Sequence, residues 1–172
     1  MMPISRRAFV ATVAVASISF VSMAYAVDAL PDARFVGFAE TVNDFQLKSG
    51  QLALSKSSNE LVRGYATRAV AEYPGVQQSL TRNSAEAGVS KAPDEEIRKI
   101  ADDAMSRLNT LQGVDFDKAY TDTQVRLQTA AVAQLGAYSE NGKSAPLRRY
   151  AQEALPKSKE FLEYAKRVAG GQ

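Results

Sequence analysis

Apolar positions divide the chain into five helical stretches. From about Asp32 to Ser55, Phe35, Phe38, Ala39, Val42, Phe45, Leu52 and Ala53 recur every three or four residues, the period that gathers side chains on one face of an α-helix. A second face, Leu61, Tyr65, Ala69, Tyr73, Val76 and Leu80, fades at Ala87-Gly88, where glycine favours a helix stop. Ser57-Ser58-Asn59-Glu60 between them reads as a capping box, so the connection is short and the two helices are expected to pack antiparallel. A shorter third helix starts at Pro93, carries Asp94, Glu95 and Glu96 in its first turn, and ends at Gly113. Its apolar side is Ile97, Ile100, Ala101, Ala104, Leu108 and Leu111. The fourth runs from near Asp115 through Tyr120, Val125, Leu127, Ala131, Leu135 and Tyr138 to Asn141-Gly142. Ser144 caps the fifth, which carries Leu147, Tyr150, Ala154, Phe161, Leu162, Ala165 and Val168.

No segment alternates with period two, so the expected fold is all-α. Four long helices form two hairpins, first with second and fourth with fifth, and the short helix lies in the crossover between them. That is the layout of a ferritin-like up-down four-helix bundle. Prolines interrupt two of the helices. Pro74, followed by Gly75, removes the bond to the Val70 carbonyl and crowds it, and Pro156 acts similarly in the last helix, so a kink is expected at each.

The first residues carry a different pattern. Ser5-Arg6-Arg7 precedes an apolar run from Ala8 to Met23 and then Ala24-Tyr25-Ala26. A basic start, an apolar middle and a small-x-small end make residues 1–26 a secretory signal peptide, with a single mature domain over 27–172. Ser5-Arg6-Arg7-Ala8-Phe9-Val10 favours the twin-arginine route over the general secretion route, and the expected compartment is the periplasm. The apolar run is short for a span of ~20 residues, so no membrane span is expected after cleavage.

Charge and missing residue types narrow the chemistry. Without Arg6 and Arg7, 19 basic residues face 19 acidic ones, which gives no reason to propose nucleic acid as a partner. Cys and His are both absent, so there is no disulfide, no thiolate and no imidazole. Ser-His-Asp and Cys-His catalysis and thiolate or imidazole zinc sites are thereby excluded. No enzyme activity and no cofactor are expected.

Phe35-Val36 on the first helix, Arg63-Gly64-Tyr65-Ala66 on the second, Phe116-Asp117-Lys118-Ala119-Tyr120 on the fourth, and Ala154-Leu155-Pro156 through Phe161-Leu162 and Ala165 on the fifth form a recognisable series. Over most of the mature chain it resembles a bacterial exported family of ferritin-like bundles, the domain of unknown function numbered four-one-four-two. The resemblance implies a Glu on the first helix, an Asp-His on the second and one His on each of the last two. Aligned by motif, those positions hold Gln46, Glu72-Tyr73, Gln128 and Phe161. Whatever metal or proton chemistry relatives support there is not carried over.

Gln46, Tyr73, Gln128 and Phe161 continue the apolar stripes of their helices. Counted from the hairpin turns, Tyr73 lies about four residues further out than Gln46, and Phe161 likewise than Gln128, an offset of ~6 Å or one helical turn. The four side chains are therefore expected to share one layer of the core. Glu72 beside them, with Glu40, Asp44, Asp122 and Glu163, supplies the carboxylates from which a hard-cation site would have to be built. The expected role is a binding or structural one, with a protein or small-molecule partner. The alternatives are a small-molecule pocket at the kinks, with Gln46, Tyr73 and Gln128 as its polar groups, and an oxygen-ligand metal site.

Overall fold

The computed structural model describes residues 27–171, and the expected signal segment lies outside them. Five helices follow one another: α1 (Asp32–Lys56), α2 (Glu60–Ala87), α3 (Glu95–Thr110), α4 (Gly113–Asn141) and α5 (Ala145–Gly170). No strand occurs among the described residues, and no helix among them is long and apolar enough to cross a membrane. The fold is all-α.

Helix ends are where local chemistry departs from the sequence reading. Asn59, not the Ser57-to-Glu60 box, caps α2: its side-chain oxygen accepts from the N–H groups of Leu61 at 2.9 Å and Val62 at 3.3 Å. Ser57 is already engaged in stopping α1, and its Oγ accepts from the N–H of Asn59 at 3.1 Å. Asp94 likewise lies outside α3 as its cap, with Oδ1 on the N–H of Ile97 at 3.2 Å and Oδ2 taking the Arg34 guanidinium at 2.8 Å. Pro93 is therefore excluded from the helix. Gly113 opens α4 with φ of 57° rather than closing α3. Lys56 closes α3 from a distance, donating from Nζ to the carbonyls of Leu108, Asn109 and Leu111 at 2.6–3.0 Å. Ser144 does cap α5 as expected. Both α2 and α5 continue as helix through Pro74 and Pro156.

The helices pack α1 on α2 and α4 on α5, with α2 against α5 and α1 against α4, which closes a ring of four. The three-residue connection between α1 and α2, and the equally short one before α5, make each pair antiparallel. α3 lies outside the ring against α1 and α4. Phe35, Phe45, Val62, Tyr65, Phe116, Leu127, Leu147 and Phe161 fill the centre, all buried. One glycine fixes the crossover. The N–H of Ala92 donates to the Ala33 carbonyl at 2.9 Å, and a Cβ on Gly37 would stand 2.0 Å from the Ala92 carbonyl oxygen. Only a residue without a side chain admits the crossover so close to α1.

Candidate functional site

Tyr65, Ala69 and Tyr73 recur every fourth residue on α2, and Tyr120, Gln124 and Gln128 do so on α4. Each set therefore forms a column on one helix face. Gln46 and Ser49 on α1 and Phe161 on α5 complete a layer across the four-helix ring. Gln128 donates from Nε2 to the Tyr73 hydroxyl at 2.5 Å and lies 3.4 Å from that of Tyr65. The Tyr65 hydroxyl reaches Gln46 Oε1 at 3.2 Å and Gln124 Oε1 at 3.3 Å, and its single proton serves one of them at a time. Gln124 donates in turn to Ser49 Oγ at 3.0 Å. The Phe161 ring stands edge-on to Tyr65 at 5.3 Å and tilted against Tyr73 at 5.1 Å, with the Arg68 guanidinium 5.0 Å from its centroid. Thus Gln46, Tyr73, Gln128 and Phe161 do meet, and Tyr65 is their hub. All of these side chains but Arg68 are buried, Gln46, Gln128 and Phe161 completely.

Burial decides the protonation of this layer. It raises the Tyr65 hydroxyl well above its ordinary pKa and outweighs the hydrogen bond from Gln128. Burial does the same to Tyr73 and Tyr120. Close by, Tyr150 accepts from Asn43 Nδ2 at 3.3 Å, and burial pushes its pKa up to about 12. The phenols are therefore neutral at any physiological pH. Polar capacity is left over. Gln46 Nε2, Gln128 Oε1 and the Tyr120 hydroxyl have no hydrogen-bond partner, although Tyr120 lies near Gln124 and Ser49.

Glu72 is not part of the layer. It turns outward between α2 and α5, where Oε1 accepts from Arg68 Nε at 2.6 Å and Oε2 meets Lys157. Partial burial raises its pKa, but Lys157 and Arg68 together prevail and hold it below the usual carboxylate range. The other carboxylates considered for a cation are also paired: Glu40 with Lys91, Asp44 with Lys48, Asp122 with Lys118 and Glu163 with Lys166. No group of three or more carboxylates converges among the described residues.

The open space lies elsewhere. A groove of about 980 Å³ runs between α1, α2 and α3, with Phe45, Tyr73, Pro74, Gln77, Ala101 and Met105 among its lining residues. A smaller hollow of about 200 Å³ between α2 and α5 is bordered by Glu72, Gly75, Ser79, Glu153 and Lys157. Gln46, Gln128 and Phe161 line neither. Sequence reasoning missed Tyr65, Ser49 and Gln124 as members of the layer. The available signal was a run of polar atoms at four-residue spacing on stripes that are otherwise apolar.

The arrangement defines a small all-helical domain built around a buried amide and tyrosine layer. The chain belongs to the DUF4142 family, a domain of unknown function whose family model matches residues 21–168. No curated protein and no solved structure matches the chain.

Proposed function

We propose that this protein is an exported, non-enzymatic binding or structural component of the periplasm, a ferritin-like bundle whose former ligand layer has become core. The observation that carries the reading is how the replaced positions are engaged: Gln128 donates to Tyr73, and Gln46 accepts from the neighbouring Tyr65. The donor set does not fit a metal ion. Amides and phenols kept protonated by burial offer no anionic ligand, and sites for Ca²⁺, Mg²⁺ and Mn²⁺ gather several oxygens that include carboxylates. The nearby Glu72 is committed to Arg68 and Lys157. Metal analysis of the full chain purified from the periplasmic fraction tests the reading. It predicts no stoichiometric manganese or iron, and no change in metal content for Glu72→Gln. Stoichiometric metal held at sub-micromolar affinity would contradict it, as would recovery of the protein in the cytoplasm.

A second reading, a small-molecule binder beside the prolines, draws support from the groove that Pro74 lines. Its volume lies within the range of ordinary ligand sites. The polar groups would then be Gln77, whose Oε1 also accepts from Asn43 Nδ2 at 3.0 Å, and Thr81, whose hydroxyl also donates to the Gln77 carbonyl at 3.0 Å. Native mass spectrometry of the exported protein tests this by showing or failing to show a co-purifying molecule.

A further inference from the structure

Gly75 stands in the middle of a 28-residue helix, where glycine costs about 0.5–1 kcal/mol relative to alanine. Neither positive φ nor a close neighbour requires it: a Cβ there would meet nothing within 4 Å. Gly75 borders the hollow of about 200 Å³ between α2 and α5. Its apolar part is Val76, Ala154 and Tyr150, whose hydroxyl already accepts from Asn43. Its polar edge holds two carboxylates and one ammonium. The ammonium, Lys157, is taken by Glu72, and the other oxygen of Glu72 is taken by Arg68. Glu153 has no ion-pair partner among the described residues. Its Oε2 is oriented by the Ser79 hydroxyl at 2.9 Å, and Ser79 Oγ is held by Asn83 Nδ2 at 3.3 Å. A carboxylate without an ion-pair partner, at the edge of a partly apolar recess, is complementary to a cation with a short hydrocarbon tail.

We propose that the hollow beside Gly75 binds small primary alkylammonium ions, with the ammonium donating to Glu153 and the alkyl chain lying against Val76 and Ala154. At ~30 Å³ per water-sized unit the hollow holds roughly seven such units, which suits an amine of four or five carbons. So few atoms give an affinity on the order of millimolar. This site is separate from the buried layer, so its fate is independent of the metal analysis above.

The test is titration of the full chain with n-butylammonium, followed through backbone amide NMR shifts, with n-butanol and butyrate run in parallel. The expected result is saturable shifts at Gly75, Val76, Ser79 and Glu153, with n-butanol weaker by about tenfold and butyrate weaker still. Glu153→Gln, an exposed change that leaves the core intact, should bring butylammonium down to the level of butanol. Gly75→Leu should abolish binding while raising Tm, since leucine fills the recess and is the better helix former. The proposal is overturned by the absence of saturable shifts at about 50 mM amine. Butyrate binding as tightly as the amine, unchanged affinity in Glu153→Gln, or retained binding in a folded Gly75→Leu would each do the same.

Discussion

Tyr73 and Gly75 lie two residues apart on α2 and meet opposite surroundings. Tyr73 turns its hydroxyl inward to Gln128, in a layer where every side chain is buried. Gly75 borders open space with a free carboxylate nearby, and Pro74 between them lines a third environment, the groove against α1 and α3. The buried layer holds more polar atoms, yet the hollow offers more to a ligand. Most polar groups of the layer are engaged by one another, its leftover atoms are sealed from solvent, and its phenols and amides carry no charge. Glu153, at the edge of the recess, accepts from the Ser79 hydroxyl and has no ion-pair partner among the described residues.

The contrast breaks most severely at the hub. Tyr65→Ala removes a fully buried ring and strands Gln46 and Gln124, and should cost about 3–5 kcal/mol in urea unfolding. Tyr65→Phe keeps the ring and should cost about 1–3 kcal/mol. Ser79→Ala at the hollow should stay within about 0.5 kcal/mol, as expected at a site that is not core.

Glycines sharpen the same comparison. Gly37→Ala drives a Cβ into the Ala92 carbonyl, whose backbone is bonded to Ala33, and should destabilise by about 1–3 kcal/mol. Gly75→Ala meets no atom and should stabilise by about 0.5–1 kcal/mol. Equal effects at the two sites would mean that the hollow is not open.

A small, pH-dependent effect belongs to Glu72. Glu72→Gln removes two partly exposed ion pairs and should cost under about 1 kcal/mol near neutrality. Because pairing lowers the folded-state pKa, the wild-type advantage is present above the unfolded value of 4.5. It is lost as pH falls through the lower folded value. Urea midpoints for both proteins should therefore converge on acidification.

Much of this fold was legible because period and burial coincide: Phe35, Val42, Leu127 and Val168 face the core as their spacing predicts, whereas Leu61, expected on the buried face of α2, is 46 % exposed and its neighbour Val62 is buried instead. Caps were less legible, since Ser57, Asn59 and Asp94 each have short polar side chains suited to several end positions, and tertiary partners such as Arg34 decide among them. The meeting of Gln46, Tyr73, Gln128 and Phe161 followed from counting turns. The hub role of Tyr65 did not, because a tyrosine on an apolar stripe gives no sign of where its hydroxyl ends. The hollow was invisible for a different reason: it depends on how far α2 and α5 stand apart, which no residue type encodes.

The central claim is that the tyrosine layer is sealed. In a Tyr25→Phe, Tyr164→Phe background the remaining tyrosines, Tyr65, Tyr73, Tyr120, Tyr138 and Tyr150, are all buried with raised pKa values. Raised folded values mean that their stabilising contribution is complete below the unfolded value of 10.0 and is lost as pH climbs above it, by up to about 1.4 kcal/mol per pH unit for each phenol. Alkaline titration followed simultaneously by tyrosinate absorbance and helical circular dichroism measures this directly. The account predicts that tyrosinate appears only as the helix signal collapses. Tyrosinate forming near its ordinary pKa while the helices remain intact would contradict it.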